Sequence, residues 1–397
     1  MKVLLFTKMF PRIGNDSFGS YVYEQAREMK KLGMELFIVS PQMYIPKILF
    51  CGGGKLKKYA LAPTEYDYKE FHVFAPKCLW AKELLNNNIE LKYKIFRLSV
   101  YKYLKKMCED VKPDIIYSLD PLMDGRLCVE IGRQLNIPVV LIEHSVPSNY
   151  RNFINNKEAR QIYKKVCEAA ARMIFVTNRQ KKLFFNLLDL KCTYNIILNG
   201  FRNENKDFVK PHRLRDKVLK MVSIGFLEDR KGYMVLFKAL KELNDTGVED
   251  FSLIVIGDGY DRERYRQVVQ EYGIGEKVEF TGIIPHEKVF STLNKSDLFV
   301  LPSYEEAFGI AYLEAMSCGL PVIGTEDEGI SDVITHGVNG YLVKREDYIG
   351  LAKLLAYIKN NPTIVEDVAR NGFETVKNYG WDRNAYEVEK VFESIIS

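Results

Sequence analysis

The chain has 397 residues, 47% of them apolar and 27% charged, with a formal net charge of +5. That length exceeds one ordinary domain and suits two, and the balance is that of a globular protein, not a disordered or fibrous one. Charge is divided unevenly, +13 over residues 1–200 and −8 over 201–397, which points to two lobes with different partners. Nucleic acid is disfavoured because no RNP-, KH- or zinc-finger-like pattern accompanies the basic half; an anionic membrane surface, a phosphorylated substrate or plain solvated charge are left.

Met1-Lys2 is followed by only four apolar residues, Val3–Phe6, too short for the core of a signal peptide, so the run reads as a first strand of a cytoplasmic protein. Tyr21–Leu32 carries apolar residues at helical spacing and stops at Gly33. Strands are predicted at Leu36–Val39, Ile115–Ser118, Val139–Ile142 and Met173–Val176. Between them, Tyr44–Phe50 and Lys55–Tyr59 mix lysines (Lys47, Lys55, Lys57, Lys58) with bulky apolar residues. Such a mixture suits either peripheral contact with an anionic bilayer or a surface hairpin. Gly52-Gly53-Gly54 follows no clear strand, so it is a turn and not a phosphate loop. Seven cysteines with no CxxC pair indicate neither a disulfide framework nor a zinc site.

The pattern lapses over the polar stretch 202–217, which reads as a linker. A second series of strands then runs through Met221–Gly225, Leu253–Gly257, Val278–Gly282, Leu298–Leu301, Pro321–Gly324 and Tyr341–Val343. Gly257-Asp-Gly259 lacks the third glycine and distal acid of a dinucleotide site. Strands alternating with helices imply parallel sheets covered on both faces. The predicted organisation is therefore α/β: an N-terminal Rossmann-like domain over 1–200, a second over 201–380, and a helix at 381–397 free to cross back to the first. Ligands of such sheets bind outside the carboxyl ends of the strands, so a cleft between the two is the expected site.

The most informative stretch is Leu301-Pro-Ser-Tyr-Glu-Glu306-Ala-Phe-Gly-Ile-Ala-Tyr-Leu-Glu314. A strand ends near Pro302, an acidic loop follows, and a helix opens around Phe308–Ile310, where free N–H groups suit a phosphate. Glu314 falls on an otherwise apolar helix; a ribose diol would satisfy its carboxylate, as would snorkelling to solvent.

Glu306-Ala-Phe-Gly-Ile-Ala-Tyr-Leu-Glu314 resembles the Glu-x7-Glu signature of the large family of retaining glycosyltransferases with the GT-B fold (glycosyltransferase family 4, glycosyl transferases group 1). Ala315–Ile323, Gly329-Ile-Ser-Asp332, Gly337–Val343 and Tyr379-Gly-Trp381 continue the likeness. Phe10-Pro11, Asn15 and Gly19-Ser20 are similar to the family's acceptor-side loop. The resemblance implies that Glu306 holds the donor sugar and that Phe308, Gly309 and Ile310 offer N–H groups to sugar and diphosphate. It further implies that Glu314 takes the ribose, Lys231 neutralises the leaving diphosphate, Ile283 and Ile284 meet the base, and His144 lies near the donor sugar. The lysine-bearing segment is similar to the corresponding loop of members that build bacterial surface polysaccharides. Phe226 departs from the family, which has Arg there; Arg230 is the nearest substitute. With no Asp-x-Asp motif, neither metal nor cofactor is expected. The implied function is transfer of a hexose-type sugar from a UDP-sugar, ahead of a GDP-sugar, to a glycan or lipid-linked acceptor, at the inner face of the membrane. A sugar-nucleotide epimerase or hydrolase of this fold, and a non-catalytic nucleotide-sugar-binding partner, are the alternatives.

Overall fold

The computed structural model describes residues 1–12, 18–44, 63–79, 88–150, 153–202 and 218–397. Asn15, the lysine-bearing segment from Ile45 onward, the glycine turn at 52–54 and residues 203–217 of the predicted linker lie outside the described residues. The chain divides into two compact units, one of residues 1–176, 180–198 and 381–397, the other of 177–179 and 199–380.

In the first unit, β1 (Lys2–Phe6), β2 (Glu35–Val39), β4 (Glu65–Tyr68), β5 (Phe71–Phe74), β7 (Ile115–Leu119), β8 (Val139–Glu143), β9 (Arg172–Phe175) and β10 (Tyr194–Ile196) form one sheet, and β3 (Gln42–Tyr44) pairs with β6 (Lys77–Leu79) in a small second one. The large sheet runs β10-β9-β8-β7-β1-β2-β5-β4. β7 and β8 are buried along their whole length because helices cover both faces, which is why their sequences are mainly apolar, with only Ser118 and the terminal Glu143 polar. One expectation is corrected at the edge: β4 and β5 pair antiparallel, so the sheet is mixed. Glu65-Tyr-Asp-Tyr68 alternates exposed acids with buried tyrosines, the period of a half-solvated edge strand.

The closing helix, Trp381–Ile396, belongs to this first unit although it follows the second sheet in sequence. Its stripe of Trp381, Ala385, Val388, Val391 and Phe392 is buried, with Phe392 edge-on to Tyr117 at 5.3 Å. The Asn384 amide accepts from Gln25 Nε2 at 2.7 Å and donates to the carbonyl of Leu198 at 2.8 Å, so its buried polar group is satisfied.

The second unit holds a six-stranded sheet, parallel throughout: β11 (Leu219–Ile224), β12 (Phe251–Ile256), β13 (Val278–Gly282), β14 (Leu298–Val300), β15 (Val322–Thr325) and β16 (Tyr341–Val343). Their order is β13-β12-β11-β14-β15-β16, a doubly wound sheet whose strand order reverses between β11 and β14. Such a reversal opens a crevice at the carboxyl ends of the two central strands.

Candidate active site

The loops leaving β11 and β14 meet at that crevice. After β11 comes a single 3-10 turn, Asp229–Lys231, closed by Gly232. A side chain at Gly232 would stand 2.0 Å from the carbonyl oxygen of Pro302, so only glycine lets the two loops touch. Tyr304 N–H then donates to the carbonyl of Arg230 at 2.8 Å. The aliphatic part of Lys231 lies over Gly225, its Cδ 3.5 Å from where a Cβ would be, and its ammonium forms an ion pair with the carboxylate of Glu306.

Glu306 is held from both sides of its peptide. Its N–H donates to Glu328 Oε2 at 3.0 Å, and its carbonyl accepts from Gly329 N–H at 3.2 Å. Glu328 is buried, and burial raises its pKa above the ordinary carboxylate value. Beyond Glu306, Phe308 is buried, Gly309 adopts φ 94° and the helix Ile310–Ser317 begins, with no side chain capping its N-terminus. Tyr312 anchors this helix to the end of β14, its hydroxyl bonded to the Leu301 carbonyl and 3.1 Å from Ser303 Oγ.

Glu314 points from the same helix, its side chain 19% exposed and its Oε1 3.5 Å from His286 Nε2. His286 opens the helix that follows Ile283-Ile284-Pro285, so the loop after β13 reaches Glu314. Arg230, expected near the diphosphate, is paired instead with Glu228 at 2.6 Å. Phe226 is 44% exposed and stands edge-to-face with Tyr260 at 5.3 Å.

The remaining expected residues lie in the first unit. A side chain at Gly19 would stand 1.6 Å from the Met9 carbonyl oxygen, and its φ of 69° is one that glycine tolerates; Ser20 opens the following helix, Ser20–Lys31. His144 directly follows β8, its ring 4.7 Å from that of Tyr21. Burial pushes its pKa down from 6.5 to about 3, so the imidazole is neutral. Nδ1 is buried with no hydrogen-bond partner among the described residues.

The same strand ends carry charged groups that sequence reasoning did not single out. Lys8, just past β1, lies 2.9 Å from Asp124 Oδ1 and 3.9 Å from Asp120 Oδ2. Burial raises Asp124 to about 6 against the opposing pull of Lys8. Glu143, the last residue of β8, accepts from Tyr163 and Tyr150 hydroxyls at 2.6 and 2.7 Å and from Ser145 N–H at 2.7 Å. Burial still lifts it from 4.5 to about 7. The available signal was positional: each of Lys8, Asp120 and Glu143 stands at the carboxyl end of a predicted strand, where function concentrates in such sheets.

The family model for glycosyl transferases group 1 matches residues 204–375. Over nearly its whole length the chain is similar to an uncharacterized glycosyltransferase, MJ1178, of Methanocaldococcus jannaschii, 26% identical and covering 90% of this chain and 98% of that one. It is also similar to the putative teichuronic acid biosynthesis glycosyltransferase TuaC of Bacillus subtilis, 24% identical with 100% and 99% covered. Among solved structures, HepE of Anabaena in complex with UDP superposes with a TM-score of 0.73 at 16% identity, covering 99% of this chain and 100% of that one; the likeness shows the GT-B fold of two Rossmann-like domains.

Proposed function

We propose, from the match of residues 204–375 to the family model for glycosyl transferases group 1, that the chain is a retaining, metal-independent hexosyltransferase. It takes the sugar from a nucleoside-diphosphate sugar, UDP-sugar before GDP-sugar, and delivers it to a glycan or lipid-linked acceptor in surface-polysaccharide synthesis. The observation that carries this reading is the Lys231–Glu306 pair beside the uncapped helix start at Gly309-Ile310. A cation, a carboxylate and free N–H groups in one crevice suit a sugar joined to a diphosphate.

In this reaction the anomeric carbon–oxygen bond breaks and its electron pair goes to the diphosphate. The acceptor hydroxyl bonds to the same face of the anomeric carbon, and its proton leaves to the departing diphosphate. Lys231 and the helix N-terminus oppose the growing charge on that leaving group. Glu306, fixed by Glu328 and Gly329, orients the sugar hydroxyls, and Glu314 accepts from the ribose diol. The choice of UDP has the support of HepE, which was solved with UDP, and surface polysaccharide that of TuaC, whose name places it in teichuronic acid biosynthesis.

The test is a panel of nucleotide sugars followed by nucleoside diphosphate release, with the product's anomeric configuration read by NMR and the reaction repeated in EDTA. Glu314→Ala should raise KM for the donor about tenfold, the scale of a lost charge-assisted hydrogen bond, with kcat little changed. Binding without release would make the chain a non-catalytic partner, and an inverted product would remove the retaining assignment.

A further inference from the structure

β10 is an edge of the large sheet, and between it and the closing helix lies a cavity. Side chains alternate along β9, so Met173 and Phe175 enter the hydrophobic core while Arg172 faces the other way. The strand register puts Arg172 in one row with Val140 and Tyr117, the face on which Phe392 of the closing helix packs. Asn195 pairs with Ile174 and shares that face, and Arg172 Nη1 donates to its Oδ1 at 3.0 Å. Farther out, Glu387, Lys390, Val391 and Ser394 form a stripe at helical spacing that stands over β9 and β10. The space they enclose has a volume of about 610 Å³. Every lining residue belongs to the first unit, so the cavity is separate from the Lys231–Glu306 crevice.

Arg172 is the charge in this lining that the protein leaves unmatched. Its Nε is buried with no hydrogen-bond partner, and no carboxylate pairs with it among the described residues. The other charges are already matched, Glu387 with Arg383 at 3.1 Å and Lys390 with Glu393 at 2.7 Å. A guanidinium with unused donors suits a planar or tetrahedral oxyanion. A bare anion would fill little of a space that lies in the size range of organic-ligand sites. The rest of the wall suits a hydroxylated ring. The Asn195 amide, the Ser394 hydroxyl and the Glu387 carboxylate can meet its hydroxyls, and Ile197 and Val391 its C–H face.

We infer that this cavity is a second ligand site, which takes an anionic monosaccharide with its phosphate or carboxylate on Arg172. The site shares no residue with the donor crevice and does not depend on the donor reading.

The experiment is calorimetric titration of the full chain with glucose 1-phosphate, glucuronate, glucose and inorganic phosphate. One or both anionic sugars should bind at least about tenfold more tightly than glucose or phosphate, the scale of a charge-assisted hydrogen bond added to the ring contacts. Arg172→Gln should weaken that binding by about 10- to 100-fold. Ser394→Trp, which fills the cavity from an exposed position, should abolish it with Tm unchanged. Lys231→Met should leave it as in wild type. Wild-type protein that binds neither anionic sugar would overturn the site. So would binding that survives Ser394→Trp and is lost in Lys231→Met, since the sugar would then occupy the donor crevice. Phosphate binding as tight as that of glucose 1-phosphate would overturn the sugar assignment, because the ring would contribute nothing.

Discussion

The ammonium of Lys231 rests on the carboxylate of Glu306, so the crevice neutralises its own cation. Seventy-five residues separate the two in sequence. They meet because the β11 and β14 loops lie against each other at the reversal of the sheet.

That pairing separates the roles of the two residues. On the proposed donor reading, a diphosphate at this crevice competes with Glu306 for Lys231. Glu306→Gln should therefore bind UDP as tightly as wild type or tighter, while kcat falls by about 10²-fold, as expected when a group aimed at the reacting sugar is lost. Lys231→Met should weaken UDP and lower kcat/KM together. Titration calorimetry beside steady-state rates reads both, and weaker UDP binding in Glu306→Gln would refute the competition.

Arg230 is the natural replacement for a cation at Phe226, yet its guanidinium is engaged with Glu228. Both side chains are partly exposed, so the pair contributes little, about 0 to 1 kcal/mol. Arg230→Ala is expected to change kcat/KM by less than about fivefold. A loss of about 2 to 3 kcal/mol in transition-state stabilisation, the scale of one preorganised donor, would instead put Arg230 on the diphosphate.

Gly309 sits at φ 94°, and a methyl there would approach the Tyr312 ring to 2.7 Å. Tyr312 cannot yield easily, because its hydroxyl is tied to Leu301 and Ser303. Gly309→Ala should cost about 1 to 3 kcal/mol in backbone strain and clash, seen as a lower Tm for the second unit, and should weaken donor binding by turning the N–H groups at the helix start. An unchanged Tm would show that the loop relaxes without strain.

The buried Glu143 and His144 make stability depend on pH in opposite senses. Glu143 keeps its proton in the folded state up to about 7, whereas the unfolded chain releases it near 4.5. Its contribution to stability is therefore lost as pH rises across that window. His144, depressed to about 3 from 6.5, favours folding increasingly as pH rises between those values. In Glu143→Gln only the histidine-like trend is left of this pair, so Tm should climb more steeply from pH 4.5 to 7 than in wild type. Parallel profiles for the two proteins would exclude a proton on Glu143.

The long buried strands were legible because a strand covered on both faces is apolar at nearly every position, as Val3–Phe6, Ile115–Tyr117 and Val139–Ile142 are. The short elements β3, β4, β5, β6 and β10 were not. Three or four residues carry too little periodicity, and Glu65-Tyr-Asp-Tyr68 looks like a polar loop until Phe71–Phe74 pairs with it. In the second unit, Glu306, Phe308–Ile310 and Glu314 could be picked out because they lie within nine residues on one strand–loop–helix connection, where local spacing sets the geometry.

What the sequence determined by itself was the composition of the candidate site: its carboxylates, its lysine, and the glycine that opens the helix. The tertiary structure decided how those groups are paired. Lys231 meets Glu306, Arg230 turns to Glu228, Glu328 holds the Glu306 peptide and two tyrosines hold Glu143. Such pairings follow from strand order and loop contact, which bring together residues that no local pattern relates.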